Sequence, residues 1–391
     1  MTATIAALIP TRNRADLAMA AVRSLLDQDC PIEIFVSDNS TSDAGLREFC
    51  LGKENVHYLR PAGELSMPEH WEWALWQVLD RSKATHITLH YDRKLSKPRH
   101  WGELRSIATR YPDELITFPV DFVTIDPPPR RLWQPPWTGK IYSVTTAKTA
   151  ALLAAARMTE LGQTLPILSN CLVPRSTLLR MAERFGDICN SNSADAPFLC
   201  RYLTVDDRYL HYDRAIGIAY APQRSAGMGY LRGEGGDFAD YLQTWGDRQW
   251  LERAPIPGLN LGHNMLFHEY EIAREQTGDR LPPIDFDGYL RGLGEALRLK
   301  TNVAERESLK RILEAHGWTG NADPYPPPTL QIRLRHFIGK RLRQLRAGPS
   351  KMTGFFFRND QEAIRFALEH PMNASQHASH LECVNAEEVG G

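Results

Sequence analysis

The sequence lacks the cysteine pairs that a zinc knuckle or a disulfide framework would need. Its six cysteines are scattered over 391 residues, and no two of them form a C-x-x-C pair. Isolated cysteines of this kind fit a reducing compartment. No apolar run approaches the roughly 18 residues of a spanning helix, and the N-terminus has no basic stretch followed by an apolar one. These absences predict a cytoplasmic protein.

An excess of charge is absent as well. Lysine and arginine number 46 against 47 acidic residues, which leaves a formal net charge of -1. Such a balance argues against a nucleic-acid partner, because a binding surface for phosphate backbones is usually strongly basic. The hydrophobic content of 42% and the charged content of 24% are typical of a globular protein with a substantial core.

Short apolar runs alternate with helical patterns over the first 120 residues. Apolar runs without alternation are typical of strands that are covered on both faces. They lie at 5–9, where we expect Pro10 to end the strand, and at 32–37, 56–59, 87–89 and 115–118. Alternating strands and helices imply right-handed crossovers. The predicted fold class is α/β, a mostly parallel sheet flanked by helices, with a helical C-terminal extension.

Four segments are predicted along the chain. Residues 1–235 form the α/β domain, 236–323 a helical extension, 324–358 a proline-rich spacer with a basic amphipathic stretch, and 359–391 a short helix and polar tail. Within the first segment, 119–145 is rich in proline, tryptophan and arginine, and 223–236 carries five glycines. Both are predicted to be irregular loops that select the substrates.

The basic stretch at 330–346 has apolar residues on one helical face and arginine and lysine on the other. This pattern suits peripheral contact with an anionic membrane. A helix packed on the catalytic domain, with its basic face in solvent, explains the pattern equally well.

Polar residues follow the first two predicted strands. Thr11, Arg12 and Arg14 come after the first strand, and Asp38 ends the second. The carboxyl ends of parallel strands form the edge where α/β proteins bind ligands. Backbone N–H groups at a helix start and a cationic side chain favour phosphate there, and a carboxylate can accept from a nucleotide base. Turn and helix capping is the alternative role for Asp38.

Three stretches resemble the family-2 glycosyltransferases. Residues 7–14 read A-L-I-P-T-R-N-R, as in the first-strand signature of that family. Residues 36–43 read V-S-D-N-S-T-S-D, which is similar to its second signature, V-x-D-x-x-S-x-D. Residues 66–71 read S-M-P-E-H-W, as in a subgroup whose third helix opens S-M-P-x-x-W. The resemblance covers roughly residues 3–230.

That resemblance implies a GT-A fold and an inverting transfer from a nucleotide-activated sugar, such as a UDP-sugar, with a divalent metal ion on the diphosphate. The residues expected to bind the donor are Pro10, Thr11, Arg12, Arg14, Asp38, Ser66, His90 and Tyr91.

The expected metal site departs from the family pattern. The family usually carries two or three consecutive acids after the fourth strand, whereas residues 89–94 read L-H-Y-D-R-K. Only Asp92 is left as a metal ligand, with His90 at the position of the first acid. One carboxylate and water can hold Mg²⁺ or Mn²⁺, and Mn²⁺ accepts an imidazole. Alternatively, Arg93 and Lys94 neutralise the diphosphate without metal, or the site is impaired.

Asp195 is the candidate catalytic base. An inverting transfer needs a carboxylate that takes the proton of the acceptor hydroxyl. Residues 185–187 and 192–197 resemble the late segment that carries this acid in the family. A helix N-cap is the alternative role of Asp195. The pair Asp206 and Asp207 is interpreted as a turn before a strand.

The function that fits best is an inverting glycosyltransferase. It would move a sugar from a nucleoside-diphosphate sugar to a glycan or a lipid-linked acceptor, in the latter case at the inner face of the membrane. A nucleotidyltransferase would need a glycine-rich loop after the first strand, and residues 10–14 contain no glycine. A non-catalytic protein that binds glycans or nucleotide sugars on the same fold also remains open, because the acidic cluster at Asp92 is thin.

Overall fold

The computed structural model describes residues 2–123, 130–135, 138–225, 227, 251–278, 280–323, 353–357, 360–369 and 382–383. Within these residues the chain forms an α/β fold, in which strands and helices alternate from the N-terminus. None of the helices in these segments is both long and apolar enough to span a bilayer.

Fourteen strands are present in the described segments. They are β1 (Ile5–Thr11), β2 (Ile32–Asp38), β3 (Val56–Leu59), β4 (His86–Leu89), β5 (Lys94–Ser96), β6 (Ile116–Thr117), β7 (Val120–Val123), β8 (Arg130–Gln134), β9 (Ile141–Thr145), β10 (Cys171–Pro174), β11 (Arg208–Tyr212), β12 (Gly217–Ala219), β13 (Thr353–Phe357) and β14 (Glu382–Cys383).

The same segments contain twelve α-helices. They are α1 (Ala15–Leu26), α2 (Leu46–Cys50), α3 (Met67–Arg81), α4 (Trp101–Arg110), α5 (Thr146–Ala154), α6 (Met158–Leu161), α7 (Arg175–Phe185), α8 (Asp195–Tyr202), α9 (Gly262–Gln276), α10 (Phe286–Leu297), α11 (Val303–Ala315) and α12 (Asp360–Glu369). Short 3₁₀ turns cover Leu168–Asn170 and Pro222–Arg224.

The main sheet is mostly parallel. Its spatial order is β14-β9-β11-β6-β10-β4-β1-β2-β3. β3, β2, β1 and β4 pair in parallel, and β11 pairs in parallel with β6. β10 lies antiparallel between β4 and β6, so these two strands point the same way. The C-terminal ends of β1 to β4, β6 and β11 therefore meet at one edge of the sheet, together with the start of β10.

Helices cover both faces of this sheet. α1, α2 and α4 pack on one face around buried residues such as Val22 and Trp101. α3, α7 and α8 pack on the other, around residues such as Leu75 and Phe198. The strands between them are therefore buried on both sides, which explains why they appear in the sequence as apolar runs without alternation.

A further hydrophobic core joins the late helices to the sheet domain. α9, α10 and α11 contribute Phe267, Leu293 and Leu313, and α5 and α8 contribute Leu153 and Leu199 to the same cluster. The residue before Leu199, Phe198, belongs to the core beneath the sheet. α8 is therefore packed between the sheet and the helices that follow residue 251.

The prediction of an irregular loop at 119–145 is wrong over most of its length. β7, β8 and β9 lie there, and β7 and β8 belong to a second sheet of order β13-β8-β7-β12-β5. Phe122 of β7 pairs with Trp133 of β8, with ring centroids 6.3 Å apart. The many turn-forming residues in this stretch suggested a loop. The strands form because they pair with segments that are distant in the sequence. Residues 124–129 and 136–137 lie outside the described residues.

Pro10 does not end the first strand. β1 continues to Thr11, and Pro10 pairs with Ser37 of β2. The pairing of β1 with β4 stops at Leu8 and Leu89, so the missing N–H of the proline costs no hydrogen bond on that side. The predicted basic membrane contact at 330–346 and most of the predicted loop at 223–236 lie outside the described residues.

Candidate active site at the carboxyl edge of the main sheet

The parallel strands bring the predicted donor residues to one edge. Thr11 is paired with Asp38 in the register of β1 and β2. The backbone N–H of His90, just after β4, donates to the carbonyl of Leu8. Thr11, Asp38 and Asp92 therefore emerge side by side, although 81 residues separate the first from the last.

The loops after β1 and β2 are fastened to each other. Asn13 adopts a left-handed backbone conformation with φ of 54°. Its N–H donates to Ser40 Oγ at 2.7 Å, and its side-chain oxygen accepts from the Thr41 N–H at 3.0 Å. Asparagine tolerates this conformation better than most residues. The loop that carries Arg12 and Arg14 is thus held at a fixed height above the sheet.

Asp38 is fully buried, and both of its oxygens are engaged. Oδ1 accepts from the Ser40 N–H at 2.9 Å. Oδ2 accepts from the Tyr58 hydroxyl at 2.8 Å and from Arg60 Nη1 at 3.2 Å. Burial raises the pKa of Tyr58 to about 12, so the phenol stays protonated as a donor to the carboxylate. Arg60 is 38% exposed and is the partner of Asp38 that a ligand could displace.

The start of α3 carries a capping box. Ser66 and Glu69 satisfy each other, with Glu69 Oε2 accepting from the Ser66 N–H at 3.0 Å and from its hydroxyl at 2.6 Å. Asn39 binds both backbone groups of Leu65, at 2.7 and 3.2 Å. The start of this helix is therefore fixed to the end of β2. The Ser66 side chain is buried there and hydrogen-bonded to Glu69.

Asp92 lies beneath Thr11 and Arg14. Its Oδ2 accepts from the Thr11 hydroxyl at 2.8 Å and lies 2.8 Å from Arg14 Nε. The side chain is only 1% exposed, whereas Arg14 keeps 17% of its side-chain surface. Arg93 follows directly, and its guanidinium donates to the Tyr220 carbonyl and to Ser225 Oγ. The carboxylate is thus already neutralised by a protein cation.

His90 and Tyr91 behave differently from one another. His90 has no exposed surface, and its Nε2 lies 3.0 Å from Ser96 Oγ. Burial, with help from Lys94, lowers the pKa of His90 well below its usual value. Tyr91 is partly exposed. Burial raises the pKa of Tyr91 to about 12; Arg93 opposes the rise, and the carboxylates of Asp195 and Asp92 add to it.

The residues around Asp92 fit a protein-held divalent ion poorly. Arg14 occupies the space next to Oδ2 that such an ion would share, and two cations repel at this range. His90 is turned into the protein toward Ser96. In the described part of the chain, no three histidine, cysteine or acidic side chains are grouped as metal ligands. The expectation of Mn²⁺ or Mg²⁺ on Asp92 stays a prediction.

Asp195, the candidate base, is the first residue of α8. Its side chain is partly exposed, and dehydration raises its pKa to about 6, although hydrogen bonds from Ser169 and the charge of Lys94 oppose the rise. Oδ1 has no hydrogen-bond partner within the described segments. Asp195 does not serve as the N-cap, because Ala194 holds that position. A carboxylate with a free oxygen and a raised pKa is equipped to take a proton.

Lys94 supports Asp195 from below. Its ammonium is 1% exposed and donates to the Ser169 carbonyl at 2.7 Å. Burial lowers the pKa of Lys94 to about 7. The alternative in which Lys94 neutralises a diphosphate would require this buried group to move. Its position instead ties β5 to the turn that binds Asp195.

Two buried glutamates position the segment before Asp195. Glu72 of α3 accepts from the backbone N–H groups of Ile188 and Cys189, at distances between 2.8 and 3.1 Å. Glu269 of α9 accepts from the Asn192 N–H at 3.0 Å. Burial raises the pKa of Glu269 to about 7. The segment 188–192, which precedes the candidate base Asp195, is thus held by both glutamates.

Comparison with known proteins finds similarity only to solved structures, at low identity. No protein-family model and no curated protein matches the sequence. Among solved structures it is similar to S. aureus TarS, with 12% identity over 80% of this chain and 53% of that chain, and a TM-score of 0.44. The chain therefore spans about half the length of TarS.

Two further solved structures are similar at the same level. TarS 1–349 in complex with UDP-GlcNAc is 14% identical over 80% of this chain and 90% of that one, with a TM-score of 0.45. The mannosyltransferase PcManGT from Pyrobaculum calidifontis, in complex with GDP-Man and Mn²⁺, is 13% identical over 88% and 81%, with a TM-score of 0.41.

Several side chains of the site were not found from the sequence. Tyr58 and Arg60 lie two residues apart at the end of β3, so period-two spacing could have placed both beside Asp38. Ser169 and Glu269 carry no such signal. They reach the segment around Asp195 only through the antiparallel start of β10 and the packing of α9 on α8.

Proposed function

We propose that this chain is an inverting glycosyltransferase, which moves a sugar from a nucleoside-diphosphate sugar to a saccharide or lipid-linked acceptor. The observation that carries the proposal is the place of Asp195. Its carboxylate has a pKa raised to about 6 and one oxygen without a hydrogen-bond partner in the described segments, and it is bound by Ser169, just before β10 begins at the edge where the donor residues lie.

The donor would lie over the ends of β1, β2 and β4. Asp38 is suited to accept from a nucleotide base once Arg60 leaves its Oδ2, and Arg60 is exposed enough to move. Arg12 supplies a donor for phosphate, because its Nη1 is buried without a hydrogen-bond partner in the described part of the chain. Pro10 and Thr11 shape the floor, and Ser66 fixes the helix start beside it.

In the proposed step, Asp195 takes the proton of the acceptor hydroxyl as its oxygen attacks the anomeric carbon. The bond from that carbon to the diphosphate oxygen breaks, and the nucleoside diphosphate leaves from the opposite face, which inverts the configuration. Glu72 and Glu269 keep the base in place, and Lys94 lowers its pKa from beneath. Asp92 is the side chain predicted to hold a divalent ion, but its contact with Arg14 fits such an ion poorly, so no part of this step relies on one.

The test is a panel of nucleotide sugars in thermal-shift and donor-hydrolysis assays, with Asp195→Ala as the comparison. Binding of at least one donor, with turnover that Asp195→Ala abolishes, supports the proposal. Donor binding without turnover by the wild type would favour the non-catalytic protein that binds nucleotide sugars. Release of pyrophosphate from a nucleoside triphosphate would favour the nucleotidyltransferase. No binding of any nucleotide sugar would refute the first proposal.

A further inference from the structure

We propose that Arg14, which pairs with Asp92, and Arg93, which follows Asp92 in the chain, hold the donor diphosphate in place of a divalent cation. This inference rests on the proposed function. It replaces the expected metal on Asp92 with two protein cations, and it makes donor binding independent of added metal.

The contacts around Asp92 give the first argument. Arg14 Nε lies 2.8 Å from Asp92 Oδ2, which is the space that a metal ion bound through this oxygen would need. Arg14 Nη1 donates to the Arg224 carbonyl at 2.7 Å, which fixes the plane of the guanidinium. Its Nη2 has no partner among the residues that the structure describes. A guanidinium that is fixed on two sides and open on the third is suited to phosphate oxygens.

Arg93 supplies the second cation. Within the described segments its hydrogen bonds go only to neutral groups, the Tyr220 carbonyl at 3.2 Å and Ser225 Oγ at 2.8 Å. Both arginines are held by the same segment, because the Arg224 carbonyl that accepts from Arg14 lies between Tyr220 and Ser225 in the chain. The charge of Arg93 is therefore not consumed by an acid of its own.

The charge of this cluster equals that of a metal site. Two guanidinium groups and one carboxylate carry a formal net charge of +1, as one carboxylate with one divalent cation would. The leaving diphosphate gains negative charge as its bond to the sugar breaks, and fixed cations stabilise that charge without reorganisation. The segment after β4 has one acid where the family has two or three, and in this arrangement the basic residues take over the role of the metal. The missing acids then do not imply an impaired site.

The first experiment titrates the full chain with UDP and with GDP by calorimetry, once in excess chelator and once in excess Mn²⁺. The expected dissociation constants differ by less than about threefold between the two conditions. Binding that is tenfold or more tighter with Mn²⁺ overturns this inference and leaves the proposed function standing. No binding of either nucleotide in either condition overturns the proposed function, and the inference with it.

Two substitutions at the cluster sharpen the test. Asp92→Asn removes the acid, so UDP or GDP should bind in chelator as tightly as to the wild type or more tightly. Loss of binding by this variant in chelator would show that the two arginines do not hold the diphosphate without the carboxylate, and it would overturn the inference. Arg14→Gln should weaken binding in chelator by about tenfold or more, the effect of one charge-assisted hydrogen bond. Because Asp92 then loses its counter-ion, Mn²⁺ should restore part of the affinity.

The matched control is Arg180→Gln. Arg180 pairs with Asp206 at 2.7 and 2.9 Å just before β11, at the opposite end of the parallel strands. Cutting this pair should leave nucleotide binding unchanged in both conditions. Circular dichroism and thermal melting of each variant, without nucleotide, separate lost binding from lost folding. An Arg14→Gln protein that melts like the wild type and binds UDP and GDP in chelator as tightly would overturn the inference.

Discussion

Replacing Asp195 by asparagine should abolish transfer and stabilise the protein at the same time. The substitution keeps the shape of the side chain but removes the base, so we expect turnover to fall by about 10²- to 10⁴-fold. The wild-type rate should rise with pH through an apparent pKa of about 6, where the carboxylate loses its proton. Asp195→Asn should lack that rise.

The gain in stability follows from the same pKa. Dehydration raises the pKa of Asp195 from 3.8 to about 6, so the folded state holds the proton more tightly than the unfolded state. Wild-type stability should therefore fall as pH rises from about 4 to 6, and the full penalty is present above 6. The shift corresponds to at most about 3 kcal/mol, and to about 1–2 kcal/mol once the partial exposure of the carboxylate is allowed for.

Two assays and one control decide this prediction. Denaturant unfolding at pH 5 and pH 8 should show a larger gain for Asp195→Asn at pH 8, and donor turnover measured over the same range should show the loss. The control is Asp207→Asn, because Asp207 is an exposed carboxylate before β11, and it should change stability by less than about 0.5 kcal/mol. A variant that is equally stable at both pH values, or that keeps turnover, would refute the assignment of Asp195 as a dehydrated base.

Three further predictions concern the residues that support the site. Lys94→Met should move the acid limb of the pH–rate profile above 6, since the charge of Lys94 lowers the pKa of Asp195; an unchanged limb would contradict this role. Glu269→Gln should stabilise the protein above pH 7 by about 2–3 kcal/mol in chemical unfolding, because burial raises the pKa of Glu269 from 4.5 to about 7 and wild-type stability falls as pH rises through that window. Glu69→Ala should cost about 1 kcal/mol in the same measurement, because the capping box with Ser66 is lost, and a neutral result would show that the cap contributes nothing.

The strands and the donor edge were predictable because their signals are local. β1 and β2 are apolar over most of their length, and burial on both faces favours that pattern. Ser66 and Glu69 form a capping box, which four consecutive residues are sufficient to encode. The proximity of Thr11 to Asp38 follows from parallel pairing alone. Residue spacing and sheet geometry were sufficient for each of these inferences.

The surroundings of the two key carboxylates could not be predicted in this way. Asp92 contacts Arg14, which is 78 residues away in the sequence. Asp195 is hydrogen-bonded to Ser169, which lies just before the antiparallel strand β10. β7 was missed for a related reason, because it pairs with β12, about 100 residues further along the chain. Contacts of this kind depend on the topology of the sheets, which cannot be predicted from a short stretch of sequence.

The place of α8 between two cores limits how far the chain can be shortened. Phe198 is buried beneath the sheet, while Leu199 and Leu203 are buried against α9 and its neighbours. A recombinant fragment that stops before residue 251 would leave this helix with one apolar side facing water, and the Asn192 N–H would lose Glu269. The smallest unit that can be expressed for biochemistry therefore includes the helices through residue 323, even though every predicted donor and catalytic residue lies before residue 200.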